Sequence, residues 1–352
     1  MDSLTSTRIE AFAVEVLDQN DRVIGRLGTV FGGRVEANAD AAIRTGCNID
    51  VDPHCGWTMT NTFDVMRHRI RPWVRVNRTS WPLGVFLPSS PDDEHHEFGK
   101  TWKIKGLDKL VILRDSSIPE TYSVTAGRIV TDVVRDLLLD IGQTSMAITP
   151  STKLTRTDIT WPPGTSHLRM INDLLDSIDY FSIWADGYGQ FRAQPYVRPQ
   201  DRAVIRTFEE GEASILQTQF KRTQNTTDVP NRVILMTEGT DEQEGLVSVA
   251  ENNDPASPYS YQARGNRWVT QVEEGLEVAD QQTLDTRAAR MLTGSMKPIT
   301  TYSVMHAKVP LNLNEVVRLN VGPYDTLVSV NEYQVELEVG SDMTGLWYEV
   351  SE

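Results

Sequence analysis

Cysteine is almost missing from this chain: its 352 residues include two, Cys47 and Cys55. That excludes a disulfide framework as the basis of the fold and makes synthesis in a reducing compartment the simpler reading, with a single Cys47–Cys55 bridge left open. Histidine is sparse, at six residues, so general bases and imidazole ligands are few. Basic residues do not dominate either. Against 34 Lys and Arg stand 49 Asp and Glu, for a net charge of −15 and an isoelectric point near 4.9. A chain that grips phosphates is usually basic, so the totals argue against a general nucleic-acid binder. They leave open a surface that nucleic acid slides past. No run approaches 18 uninterrupted apolar residues, so no transmembrane helix is expected. The opening "MDSLTSTRIEAF" has no basic stretch followed by an apolar run, so no secretory signal is expected.

Motifs for chemistry are equally scarce. The sequence has no G-x-S-x-G elbow, no G-x-x-x-x-G-K-[ST] loop and no G-x-G-x-x-G turn, which removes the usual signatures of an acyl-transfer nucleophile and of phosphate cradles. "CNIDVDPHC" offers Cys47, Asp50, Asp52, His54 and Cys55, but its carboxylates alternate with Ile49 and Val51 as on a strand with one wet face. "DDEHHE" at 92–97 lacks metal-site spacing and reads as a solvated loop tip. No catalytic residue, cofactor site or metal site is therefore assigned. The strongest charge signal is "RHRIRPWVRVNR" at 67–78. As a strand it places Arg69, Arg71, Trp73 and Arg75 on one face. That face is either a charged interface that meets nucleic acid or an acidic partner, or a solvated sheet face paired with carboxylates.

What is present is well-patterned secondary structure. Residues 8–27 read as a hairpin around the turn "DQND". Strands are expected at 41–51, 69–78, 83–87 and 100–105, with "PSSPDDEHHEFG" as a long polar loop. From Thr125 to Gly142 apolar residues recur at four-residue steps, the mark of a helix that Gly142 stops. In "GTSHLRMINDLLDSIDYFSIWADGYGQFRAQPY", Thr165 is the expected N-cap. Leu168, Ile171, Leu175 and Ile178 form the packing stripe, and two short strands flank Asp186–Gly187. Further strands are expected at 229–236, 268–274, 299–307, 315–321 and 326–339. A helix is expected at 280–296 and an acidic loop at 239–263. The order is β, then α/β, then β. It predicts an α+β chain of two β domains, residues 1–118 and 206–352, around a helix-plus-hairpin α/β domain, residues 119–205.

Several stretches of the sequence carry a resemblance, in order along most of the chain. The module just quoted resembles a helix-then-hairpin segment of tailed-bacteriophage baseplate hub proteins, often named minor tail or tail-associated proteins. "LGVFLPSSP" with "KTWKIKGLDKL" resembles the hairpin and Asp-containing turn that close their first β domain. "DVPNRVILM", "NNDPASPYS" and "MHAKVPLNLNEVVRL" resemble successive parts of their second half. The resemblance implies two tube-like antiparallel β-barrel or sandwich domains with the α/β domain inserted. It implies a homotrimeric ring that matches the sixfold tail tube and lets DNA pass. The implied partners are the distal tail protein, the end of the tape-measure protein and fibre or spike proteins, the last on other chains. The implied place is the tail tip of the virion, after assembly in the host cytoplasm, without stable membrane association. The readings kept beside it are a tail-tip cell-wall hydrolase and a glycan-binding receptor protein.

Overall fold

The structure, a computed structural model, describes residues 8–28, 30–52, 63–96, 99–155, 158–212, 214–225, 227–237, 245–276, 281–295 and 299–350. It divides into two compact units: Met1–Phe220 with Ser303–Glu352, and Lys221–Tyr302. Among the described residues, no helix is long and apolar enough to cross a membrane.

The first unit is organised by one long sheet. Its strands run side by side in the order Met343–Glu349, Tyr324–Glu336, Val30–Asn38, Thr45–Val51, Gly99–Asp108, Phe86–His96, Arg69–Val76, Glu10–Leu17 and Val23–Arg26. The joint that unites early and late sequence is antiparallel, with Val335 opposite Val35 and Tyr333 opposite Ala37. The period of two explains the faces. Val35, Ala37, Cys47, Ile49, Val51, Tyr333 and Val335 are buried. Arg34, Glu36, Glu332, Gln334 and Glu336 alternate with them on the wetter side. Gly33 sits where backbones meet closely: a Cβ there would lie 2.3 Å from the Asn48 carbonyl oxygen. Cys47 is a buried free thiol whose pKa burial pushes well up. Cys55 and His54 lie outside the described residues.

Two expected loops are strands instead. "PSSPDDEHH" continues the strand Phe86–His96, which pairs with Gly99–Asp108 almost to the tip. Charge does not break this ribbon, because Lys103 meets Glu94 at 2.7 Å and Lys105 meets Asp92 at 3.1 Å across it. Within the acidic 239–263 segment, Val247–Glu251 is a strand, and residues 238–244 lie outside the described residues.

Between the early and late strands the first unit carries three helices and two small sheets. Helix α1 is Leu110–Asp115, α2 is Val130–Asp140 and α3 is His167–Asp176. Helix α2 buries Val130, Val133, Val134, Leu137 and Leu138. It closes where Gly142, at φ 73°, donates its N–H to the Leu139 carbonyl. In α3, Leu168, Ile171 and Leu175 are buried together with Ile178 in the same core as α2. The N-cap is one residue later than the sequence suggests. Ser166 Oγ accepts from the Arg169 N–H, while the Thr165 hydroxyl donates to the Pro162 carbonyl at 2.8 Å. The hairpin pairs Trp184–Ala185 with Phe191–Ala193, and Met146–Ile148 adds to Phe191–Ala193 in parallel.

The second unit is a three-stranded sheet with Arg232–Thr237 central, antiparallel to Val247–Glu251 and parallel to Thr270–Leu276. Helix α4, Gln281–Ser295, covers one face, where Leu284, Ala288 and Leu292 form a core with Val233 and Leu235. The Arg232 guanidinium lies 3.9 Å over the Trp268 ring, which stacks on Tyr261 at 4.4 Å.

Candidate functional site: a charged seam and a polar sheet face

The basic strand Arg69–Val76 has the alternation that its sequence implies. Ile70, Pro72, Val74 and Val76 are buried on one face, and Arg69, Arg71, Trp73 and Arg75 lie on the other. The three arginines have different surroundings. Arg69 is only 8% exposed and donates to Asp21 at 2.5 Å. Arg71 donates from Nε and Nη2 to Glu15 Oε2, at 2.9 and 2.7 Å, and the Trp73 indole N–H donates to the same oxygen at 2.7 Å. Arg75 is exposed and donates to the Asn77 carbonyl. Two of the three cations therefore meet carboxylates of the neighbouring hairpin, within the chain.

Asp21 is the centre of this seam. It sits at φ 62°, in the turn after Glu10–Leu17. Its second oxygen accepts from the Lys109 ammonium at 2.6 Å. Lys109 opens α1 and is almost fully buried. It also donates to the Gly189 carbonyl at 2.7 Å and lies over the Phe191 ring. Burial pushes its pKa down, and the Asp21 carboxylate pulls it back. One carboxylate thus ties the basic strand to the first helix and, through Gly189, to the helix–hairpin module.

The hairpin turn "DGYGQF" completes the fit. Gly189 lies at φ 81°, and a Cβ there would meet Val85 at 2.7 Å; at Gly187 a Cβ would meet the Pro82 carbonyl at 2.7 Å. Tyr188 packs edge-on against Trp73, with Arg71 over both rings. Asp108 supports the seam from the side. It accepts from the Thr45 N–H and hydroxyl and from the Leu110 N–H, although burial raises its pKa. The sequence marks Asp21 only as a turn residue and does not single out Glu15 or Lys109. Their partners are 48 to 88 residues away, beyond the reach of a local pattern.

A second buried charge fastens the other end of the long sheet. Lys308 is fully buried and donates to Glu10 at 3.2 Å, to the Glu338 carbonyl at 2.9 Å, and to the Ser341 hydroxyl and carbonyl. Arg8 donates to Glu10 and to the Lys308 carbonyl. Nearby, His306 is completely buried against Phe208 and Trp347. Its Nδ1 faces the Ala307 carbonyl, and burial lowers its pKa to about 4. The unfolded chain therefore binds the proton first. The contribution of neutral His306 is complete above about pH 6.5 and is lost as the pH falls towards about 4. The loss amounts to about 3 kcal/mol at the bottom of that window. Urea unfolding at pH 7 and pH 4 is expected to show a pH-dependent fall smaller by about that amount in His306→Phe than in the parent. Equal pH dependence would refute the assignment.

The opposite kind of surface is the wetter side of the long sheet. Glu36 stands opposite Gln334, Arg34 opposite Glu336 and Asn48, and Asp50 opposite Lys103. It is a mixed polar face with more carboxylates than cations at its centre. Among the described residues, no group of three or more His, Cys, Asp or Glu side chains is placed to hold a metal ion.

No family model and no curated protein matches this sequence. Solved structures do match its shape. A tail protein from Neisseria meningitidis superposes with a TM-score of 0.67 at 12% identity, covering 96% of each chain. The 43 kDa tail protein of prophage MuSo2 from Shewanella oneidensis gives 0.67 at 9% identity, over 97% of this chain and 98% of that one. An Escherichia coli component of the type VI secretion system, described as structurally similar to the T4 tail proteins gp27 and gp5, gives 0.53 at 8% identity. It is covered to 74% of its length and this chain to 92%. At such identities the likeness concerns the fold, and it runs through almost the whole chain: this protein has the fold of phage tail proteins.

Proposed function

We propose that this chain is a structural component of a phage tail tip, a hub of three copies that joins the tail tube to the tip and its fibres. The observation that carries the reading is end-to-end likeness to tail proteins, over 96% or more of both chains in two cases. The strands within 1–118 and 206–352 supply the two tube-like β regions of each copy, and the helix–hairpin module of 119–205 braces them. Three copies then offer six such regions to a sixfold tube. The role is one of shape rather than catalysis. The Asp21 seam supports it, because ion pairs between the hairpin, the basic strand and α1 hold a fixed geometry. The wetter face of the long sheet, with Glu36, Asp50, Glu332 and Glu336, is the surface proposed to line the channel. Carboxylates there let DNA pass without the phosphate grip that cations would create. Arg69 and Arg71 keep their charge within the chain, which fits such a lining, and Arg75 remains as the candidate contact for a neighbour. The partners proposed are the distal tail protein, the tape-measure end, and fibre or spike proteins, in the virion after assembly in the host cytoplasm.

Antibody labelling of intact particles that encode the chain tests this reading. Gold particles at the tail end distal to the head are expected. Label on the head or along the tail shaft would overturn it.

A further inference from the structure

A ring of identical chains needs two different patches on each copy, which meet heterologously around the axis. The second unit has one candidate. Its sheet buries Val233 and Leu235 under α4, so the opposite face carries Ile234 between Val249 and Val272. Val247, Val249 and Val272 are 51%, 52% and 48% exposed. A β-branched row of this kind on a sheet face is costly to leave in water. Glu251 and Glu274 lie on the same face at its margins, Glu251 paired with Arg232 at 2.7 Å, so the acidic side of the patch is the Glu274 margin.

The first unit has a patch of matching character and opposite charge. Tyr196, Val197, Val204 and Ile205 are each 40–46% exposed. Arg198, Arg202 and Arg206 are interspersed among them, with Asp201 as the single acid of the segment. Val204–Glu209 is an edge strand: among the described residues it pairs with Val316–Val321 alone. Exposed edges of this kind are ready to meet another chain.

We propose that the apolar, acid-flanked face at Val249 on one copy docks on the apolar, base-flanked edge at Ile205 on the next copy, and that this contact closes the ring. The inference rests on the hub reading and names its subunit interface. Apolar area supplies the attraction, and the opposite flanking charges set the direction, so that like patches do not meet face to face.

The test uses the full-length chain and light scattering. The parent chain is expected at the mass of three copies. Val249→Asp, at an exposed site where melting should be unchanged, is expected at the mass of one. Val249→Asp combined with Ile205→Lys places opposite charges across the proposed contact and should return the mass of three. A folded Val249→Asp variant that keeps the full mass, or a double variant that stays monomeric, overturns this interface while leaving the ring itself standing. A parent chain that is monomeric at every concentration, alone and beside tail tubes, overturns the ring and the interface together.

Discussion

Replacing Asp21 by alanine is expected to lower the stability of the first unit by about 3–5 kcal/mol, the range seen when one partner of a buried charge set is removed. The carboxylate is shared. Arg69 approaches one oxygen at 2.5 Å and Lys109 the other at 2.6 Å, and the side chains of all three residues are no more than 12% exposed. Its loss strands two cations in a place where water cannot solvate them. Alanine also fits the φ of 62° poorly, which adds about 1 kcal/mol or more. Lys109→Met should be milder than Asp21→Ala. It removes one of the two cations, keeps the Arg69–Asp21 pair and continues to cover the Phe191 ring. Hydrogen exchange locates the damage. Amides of the turn 186–190 and of α1 should lose protection in Asp21→Ala, because Gly189 is held through Lys109. A surface ion pair would give 0–1 kcal/mol instead, and a measured loss in that range would show that the seam is solvated.

Lys308→Ala is the second substitution with a large expected effect, again about 3–5 kcal/mol. The ammonium is the common donor to Glu10, the Glu338 carbonyl and both oxygens of Ser341. Its removal leaves Glu10 with the Arg8 guanidinium and the Gly340 N–H, and leaves the turn after Tyr324–Glu336 unfastened. The lysine joins positions about 300 residues apart in sequence, so the expected symptom is fraying of the Glu10–Leu17 end together with the 338–341 turn. Pairing Lys308→Met with Glu10→Gln should recover part of the loss, since a neutral pair of similar volume needs no buried charge balance. Urea midpoints of the four chains give the coupling. Additive single losses would mean that Lys308 and Glu10 act independently.

The parts of this fold that were legible in the sequence are those written in local periodicity. Helices α2 and α3 announce themselves by apolar residues at helical spacing, and the alternation in Arg69–Val76 assigns its two faces correctly. The strand Val30–Asn38, "VFGGRVEAN", is less visible, because its two glycines break the alternation and leave Val35 and Ala37 alone to mark the apolar face. It is also the strand that joins early and late sequence, and its partner Val335 lies 300 residues on, which no local pattern encodes. The Phe86–His96 ribbon is hidden for the opposite reason: it is rich in charge, and only the long-range ladder shows that opposite charges meet across it instead of marking a loop. The basic strand is the strongest charge signal in the sequence, but composition cannot say whether a cation faces a partner protein or a carboxylate of its own chain. Asp21 and Glu15 answer that for Arg69 and Arg71.

The central claim is that copies of this chain assemble as a threefold hub. Its most direct test is the symmetry of particles formed by the purified chain, imaged by electron microscopy alongside a mass measurement in solution and, as a template, in the presence of tail tubes. The account predicts rings of three copies with a central opening, free or seated on the tube end. Particles that remain single compact chains, both alone and beside tubes, would contradict it.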